Sequence, residues 1–217
     1  MTLAMLALLV GLGNWQVRRL AWKRGVLAAI AAAEAAPAVP LPAAPSPFQK
    51  VSVTGSFRPD LAALFADEVC DTPRGPVIGG ELIVPLERPG ALAVLVDRGW
   101  IPLDRRGAVA TPAGSVTVVG YVHPADHPGP FSARDDAAGR RFYTLDPPAI
   151  GAALGLPGVA PFVLIALGDP PAAGYPVPAR HLPQPPNNHL QYAITWYGLA
   201  ACLLVIFAAW SRQVLRA

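Results

Sequence analysis

The residues best suited to chemistry stand near the two ends of the chain. Close to the C-terminus runs Asn187-Asn188-His189-Leu190-Gln191-Tyr192-Ala193-Ile194-Thr195-Trp196. Pro185 and Pro186 stop whatever precedes it, so a helix begins here with Asn187 or Asn188 as its cap. On that helix His189 occupies the first turn and shares a face with Tyr192, Ala193, Trp196 and Ala200. An imidazole at the mouth of a small-residue groove, flanked by aromatic rings, can receive a porphyrin and ligate its iron. The plainer reading makes His189 a polar residue at headgroup level, among the aromatic belt of a membrane helix. Pattern alone leaves both open.

Near the N-terminus stands Gly13-Asn14-Trp15-Gln16-Val17-Arg18-Arg19, followed by Trp22-Lys23. On a helix Trp15, Arg19 and the Trp22/Lys23 pair share a face. Arg19 and Lys23 supply positive charge for an anionic group by charge-assisted pairing. The competing reading is an interfacial anchor, with tryptophan at the headgroups and the long cations snorkelling to lipid phosphates. A third motif, Leu95-Val96-Asp97-Arg98-Gly99-Trp100-Ile101-Pro102, reads as a strand ending in a turn. There Asp97 and Arg98 pair with each other or meet a partner, and Gly99 signals a bulge. Packing is the plainer role for all three.

The remaining candidates are weaker. His123 and His127 lie among prolines and have no third ligand near them in sequence. Asp135 and Asp136 are neighbours whose side chains point apart, which is wrong for a shared-proton dyad. Cys70 and Cys202 fall in segments too different to predict a bridge, and no C-x-x-C occurs. G-x-S-x-G, P-loop and dinucleotide-binding glycine patterns are absent from the sequence. The expectation is a protein that binds rather than an enzyme.

Several elements must position these residues. Leu190–Trp210 contains no charged residue and is long enough for a helix to cross a bilayer. Aromatic residues stand at both ends of that run, with Arg212 and Arg216 beyond it. Met1–Gly13 is apolar but short. It reads as a signal-peptide core or, preferably, as a membrane helix that starts further upstream or is short and thins the bilayer, because basic residues follow where a cleavage site would stand. The alanine-rich stretch 27–36 extends this helix until Pro37 ends it. Segments 37–47 and 170–186 are proline-rich and read as stiff linkers. Between them, short alternating runs predict strands over 49–57, 80–86, 91–101, 115–122, 141–145 and 162–167. Asp146 followed by two prolines predicts the capped start of a short helix reaching about Leu154.

Composition agrees with a membrane-tethered domain. Of 217 residues 53% are hydrophobic and only 14% are charged, well under the usual quarter for a soluble domain. The formal charge of +3 comes from six bases beside the two apolar ends, whereas residues 31–186 carry eleven bases against fourteen acids. A mildly acidic middle argues against nucleic-acid binding. The bases after the first apolar run lie on the domain side, which by the positive-inside rule would keep the domain cytoplasmic, but that rule fades for loops longer than about 60 residues.

Taken together, the motifs resemble the surfeit locus protein 1 family of cytochrome c oxidase assembly factors. The family's L-G-x-W-Q-x-x-R with a following lysine is met by Leu12, Gly13, Trp15, Gln16, Arg19 and Lys23. Its V-x-R-G-W-x-P strand end is met by Val96, Arg98, Gly99, Trp100 and Pro102. Its N-N-H-x-x-Y-A-x-T-W is met by Asn187, Asn188, His189, Tyr192, Ala193, Thr195 and Trp196. Three motifs in the family's order cover nearly the whole chain.

The resemblance implies two transmembrane helices flanking a mainly antiparallel, barrel-like β domain with small helices. The apolar and proline-rich runs divide the chain into 1–36 (first helix and its extension), 37–47 (linker), 48–169 (domain), 170–186 (linker) and 187–217 (second helix and tail). The domain would lie on the periplasmic side of a bacterial inner membrane, or the equivalent side of a mitochondrial one. The implied function is haem a insertion into oxidase subunit I, or stabilisation of that subunit. The implied partners are subunit I, haem a synthesis enzymes and the bilayer. Haem a, held stably or in passing, would take His189 as iron ligand, Tyr192 and Trp196 beside the macrocycle, and Arg19 and Lys23 at its propionates. The alternatives are an oxidase-subunit scaffold that binds no haem and, outside the family, a two-helix sensor or membrane enzyme.

Overall fold

The computed structural model describes residues 1–72, 75–105 and 109–216. Helix α1 spans Thr2–Ala35 and stops just before Pro37, whose ring and missing N–H cannot continue it. Strands β1 (Val39–Pro40), β2 (Lys50–Phe57), β3 (Ala63–Thr72), β4 (Gly75–Arg88), β5 (Ala91–Pro102) and β6 (Ser115–Pro124) follow. Then come β7 (Arg141–Phe142), helix α2 (Pro147–Ala153), β8 (Val159–Ala166) and helix α3 (His189–Val214). The chain divides into two compact units, Met1–Ala32 with Pro183–Ala217, and Ala33–Leu182.

Within the second unit the strand order is β1-β2-β6-β8-β5-β4-β3-β7. A further antiparallel pairing of β2 with β4, through Ser56–Glu87 and Phe57–Leu86, closes β2, β6, β8, β5 and β4 into a ring. The domain is therefore barrel-like, with β1 added beside β2, and with β3 and β7 continuing outward from β4. Pairing is mainly antiparallel, but β5–β8, β1–β2 and β3–β7 are parallel. Closure requires every ring strand to turn alternate residues inward. Val51 and Val53, Leu86, Val94 and Val96, Val122, and Ala160, Phe162 and Leu164 do so, and form one buried cluster. Burying each of the larger side chains among them contributes about 1.5–3 kcal/mol.

On the opposite face Ile83, Leu95 and Val163 pack under α2 through Ile150 and Leu154, with Phe142 and Leu145 alongside. The start of α2 is as expected: the Asp146 carboxylate accepts the Ala149 N–H at 3.3 Å, and Pro147 sits in the first turn. Strand β3 was missed in the sequence. Its residues 66–71, ADEVCD, offer no sustained apolar alternation, and their side chains are mostly exposed or half-exposed. β3 is held instead by backbone pairing with β4, across a bulge between Phe65 and Glu68.

Segments with proline-rich composition also take part in the domain. Val39 and Pro40 pair with Val51 and Ser52. Val177 exchanges both backbone hydrogen bonds with Trp100, at 3.0 and 2.9 Å, so residues 175–178 strap the end of β5. Tyr175 adds its ring against Trp100 at 5.8 Å between centroids.

Candidate functional site

Helices α1 and α3 form the first unit, and their contact assembles two of the three sequence motifs. On α1 the buried residues Leu9, Gly13, Gln16 and Leu20 fall at spacings of four, three and four, one seam of the helix. On α3 the buried residues are Ala193 and Ala200, seven apart. Small residues on such a seam let helix backbones approach closely. Gly13 shows why. A Cβ there would lie 2.6 Å from the Tyr197 ring, closer than packing permits. The Tyr197 hydroxyl passes that gap and donates to Asn14 Oδ1 at 2.7 Å.

The same seam brings Gln16 to His189. Gln16 Oε1 stands 2.8 Å from His189 Nδ1. An amide oxygen only accepts, so Nδ1 donates this bond, and in the neutral ring Nε2 keeps its lone pair. Gln16 is itself buried, at 8% exposure. A partner on one ring nitrogen fixes the ring's orientation and leaves the other nitrogen facing away from Gln16. Asn188 occupies the cap position without a side-chain cap bond; its carbonyl accepts the Tyr192 N–H at 3.2 Å. The buried Asn187 Oδ1 has no hydrogen-bond partner among the described residues.

Other expected site residues sit differently. Trp196 is half-buried, and Tyr192 is exposed at 54%. Trp15 and Trp22 lie on the outer face of α1, with the Arg19 guanidinium 3.9 Å above the Trp22 ring centre. Arg19 is thus engaged in a cation–π contact. Lys23 is half-buried, and its helical spacing continues the row of Gln16 and Leu20. His123 pairs its Nδ1 with the Pro124 carbonyl at 2.8 Å. Asp135 and Asp136 accept from the backbone of Tyr143 and Gly139, a turn-holding role. Both cysteines are free.

In the barrel the third motif is built around a bulge. Between the Glu81–Trp100 and Ile83–Asp97 pairs β5 carries one extra residue. Asp97 and Arg98 do not pair with each other. Asp97 is buried and accepts the Gly99 N–H at 2.9 Å. Arg98 turns to the other face, where it donates to Thr111 Oγ1 at 2.7 Å and to the Ala110 carbonyl at 3.1 Å.

Asp97 also meets a group the sequence reading overlooked. Its carboxyl is hydrogen-bonded to that of Glu81. Burial first, and then the neighbouring Asp97, push Glu81 up to about 9. Burial likewise raises Asp97 to about 6, against the opposing pull of the Gly99 N–H and Glu81. Burial, with the same two acids, raises the Tyr121 hydroxyl to about 12. The signal was available in the alternation, since Glu81 shares a face with Ile83, and Asp97 with Leu95.

Gly13→Val tests the helix seam. It is expected to weaken the pairing of α1 and α3 by about 1–3 kcal/mol, the usual cost of overpacking. Unfolding of the purified chain by titrated denaturing detergent would read this as an earlier midpoint. Tyr197→Phe, which loses only the hydroxyl bond, should shift it by about 0.6 kcal/mol.

Comparison with known proteins covers the same motifs. Residues 3–201 match the family model described as the SURF1 family. The chain is 29% identical over 217 residues to the SURF1-like protein of Rickettsia felis, covering 96% of this chain and 94% of that one. It is 30% identical over 215 residues to the SURF1-like protein of Rickettsia bellii, with coverage of 95% and 88%. Against Surfeit locus protein 1 of Homo sapiens the identity is 26% over 230 residues, covering 95% of this chain and 74% of the human one.

Proposed function

The chain belongs to the SURF1 family, and from that membership we propose that it is a membrane-bound assembly factor for cytochrome c oxidase that holds haem a as cargo on its way into subunit I. One observation carries the haem part of this reading: Gln16 at 2.8 Å from His189 Nδ1 leaves Nε2 as a free lone pair. A single axial histidine suffices for haem iron, and a partnered Nδ1 is the usual support for it. The residues present fit the cargo. His189 would hold the iron, half-buried Trp196 and exposed Tyr192 offer apolar surface beside it, and Lys23 lies on the Gln16 row for a propionate. Arg19 would have to leave Trp22 to join them. Once delivered, the haem supplies the oxidase with its redox centre. This chain binds, orients and releases rather than turning over a substrate.

Helix α3 is long and apolar enough to cross a membrane. In this proposal α1 crosses beside it, antiparallel, because Thr2 lies in one cleft with Leu203, Phe207 and Trp210 while Gln16 meets His189. The barrel then faces the periplasm, where it meets subunit I and the haem a synthesis enzymes.

The test is the haem carried by the purified chain after co-expression with haem a synthesis enzymes. His189→Ala is expected to carry at least tenfold less haem a than the parent. A full complement with an unchanged visible spectrum would remove His189 as ligand. A parent chain that never carries haem would favour the scaffold reading, in which the exposed face of α3 docks oxidase subunits.

A further inference from the structure

The Arg98 guanidinium stands out in the barrel because its charge is unanswered. Its side chain is half-buried, lies 5.1 Å from the Phe57 ring centre, and donates only to the neutral oxygens of Thr111 and Ala110. No carboxylate pairs with it among the described residues. Burial alone pushes the guanidinium below its ordinary value, with no neighbouring acid to hold it up. A desolvated cation with only neutral partners is costly, and buried charges are normally paired.

Arg98 also lines a cavity of about 310 Å³. Phe57, Val116, Val118, Pro112, Pro176 and Pro178 form its apolar walls. Asp169 is on the rim, 90% exposed, and turns to Arg180 at 3.8 Å. At about 30 Å³ per water-sized group, the cavity accommodates about ten non-hydrogen atoms. Guanidinium geometry matches a carboxylate, which accepts two parallel N–H bonds.

We propose that this cavity binds a small apolar carboxylic acid, with its carboxylate on Arg98 and its hydrocarbon body between Phe57, Val118 and the prolines. The neutral oxygens of Thr111 and Ala110 hold the guanidinium in place without neutralising it, so the charge is preserved for the ligand. The site is independent of His189 and of haem. The groove is open to solvent along one side, and its apolar walls beside one unpaired cation match a short hydrocarbon chain that carries one carboxylate.

The test uses the full ¹⁵N-labelled chain in lipid nanodiscs, titrated with octanoate. Octanoate is expected to move the Arg98 Nε–H signal and those of Val116 and Val118 saturably. Octanol, equal in length and uncharged, should bind at least tenfold more weakly, and so should acetate, which has the charge without the body. Arg98→Gln should weaken octanoate at least tenfold, while Thr111→Val, which keeps the charge, should leave measurable binding. Should Arg98→Gln fail to fold, the octanoate-to-octanol ratio on the parent decides alone. Equal binding of octanol and octanoate would overturn the proposal. So would shifts confined to α1 and α3, which report partition into the bilayer only. Tighter binding of a peptide with a free C-terminal carboxylate would reassign the cavity to a protein partner and equally overturn it.

Discussion

Gly99→Ala is expected to destabilise the barrel by about 3–5 kcal/mol, read as a fall of about 10 °C in the Tm of the full chain. Gly99 has φ +111°, a conformation that side chains with a Cβ rarely adopt. The position where its Cβ would stand is already filled by the carbonyl of Val177. That carbonyl accepts the Trp100 N–H at 3.0 Å, and the Val177 N–H donates back to Trp100 at 2.9 Å. Relieving the clash therefore means lifting residues 175–178 off β5 and losing both bonds, each worth about 1 kcal/mol. Backbone strain adds about 1–3 kcal/mol. The Gly99 N–H also steadies the buried Asp97 carboxyl, so a shifted bulge leaves a buried polar group short of a donor. Thermal unfolding followed by far-ultraviolet circular dichroism is the check. A fall under about 2 °C would mean that the strap moves freely and contributes little.

The sequence carried the motifs but not their meeting. Gly13, Gln16 and His189 were each legible as unusual residues on apolar helices. That Gln16 would reach His189, 173 positions away, was not. Helix periodicity gives faces, and it takes packing to decide which faces touch. The seam of Leu9, Gly13, Gln16 and Leu20 is hard to see because the α1 sequence is apolar or small on every side over its first turns. Cation placement shows the same limit. Spacing put Trp15, Arg19 and the Trp22/Lys23 pair on one face; in the folded helix Arg19 does lie over Trp22, while Lys23 turns away to continue the inner row.

In the barrel, strands with clear alternation were readable, and so were the Asp146 cap and the Gly99 bulge. Ring closure between β2 and β4 was not, since it rests on two residue pairs with no local signature. Nor was the strap, because Val177 sits in a segment whose composition speaks only of proline. Adjacency left Asp97 and Arg98 either to pair with each other or to meet a partner. Strand geometry sends neighbours to opposite faces, and so one became half of an acid pair while the other became an unpaired cation lining a cavity.

That acid pair sets the second large effect. The folded barrel is expected to lose stability as pH rises from about 5 to 9, and Glu81→Gln is expected to remove most of that loss. Both carboxyls have folded values raised above their unfolded ones, Glu81 to about 9 and Asp97 to about 6. Below about pH 4 both states hold their protons, and the pair imposes no difference. As pH climbs, the unfolded chain ionises while the folded pair keeps a shared proton between Glu81 and Asp97. The folded state then binds more protons, so its stability declines with pH until Glu81 ionises near 9. Glu68 adds negative charge beside Glu81 and raises it further. No base pairs with either Glu81 or Asp97 among the described residues. The glutamine variant keeps a hydrogen-bonding side chain toward Asp97 and never ionises. Relative to the parent it should gain about 2–4 kcal/mol at pH 9 and almost nothing at pH 5. Asp97→Asn should show a smaller gain that builds up between about pH 4 and 6 and persists above it, and its oxygen still accepts the Gly99 N–H. Chemical denaturation of the three chains at pH 5, 7 and 9 measures the difference. Parallel curves for parent and Glu81→Gln across that range would mean the two carboxyls are solvated in solution and share no proton.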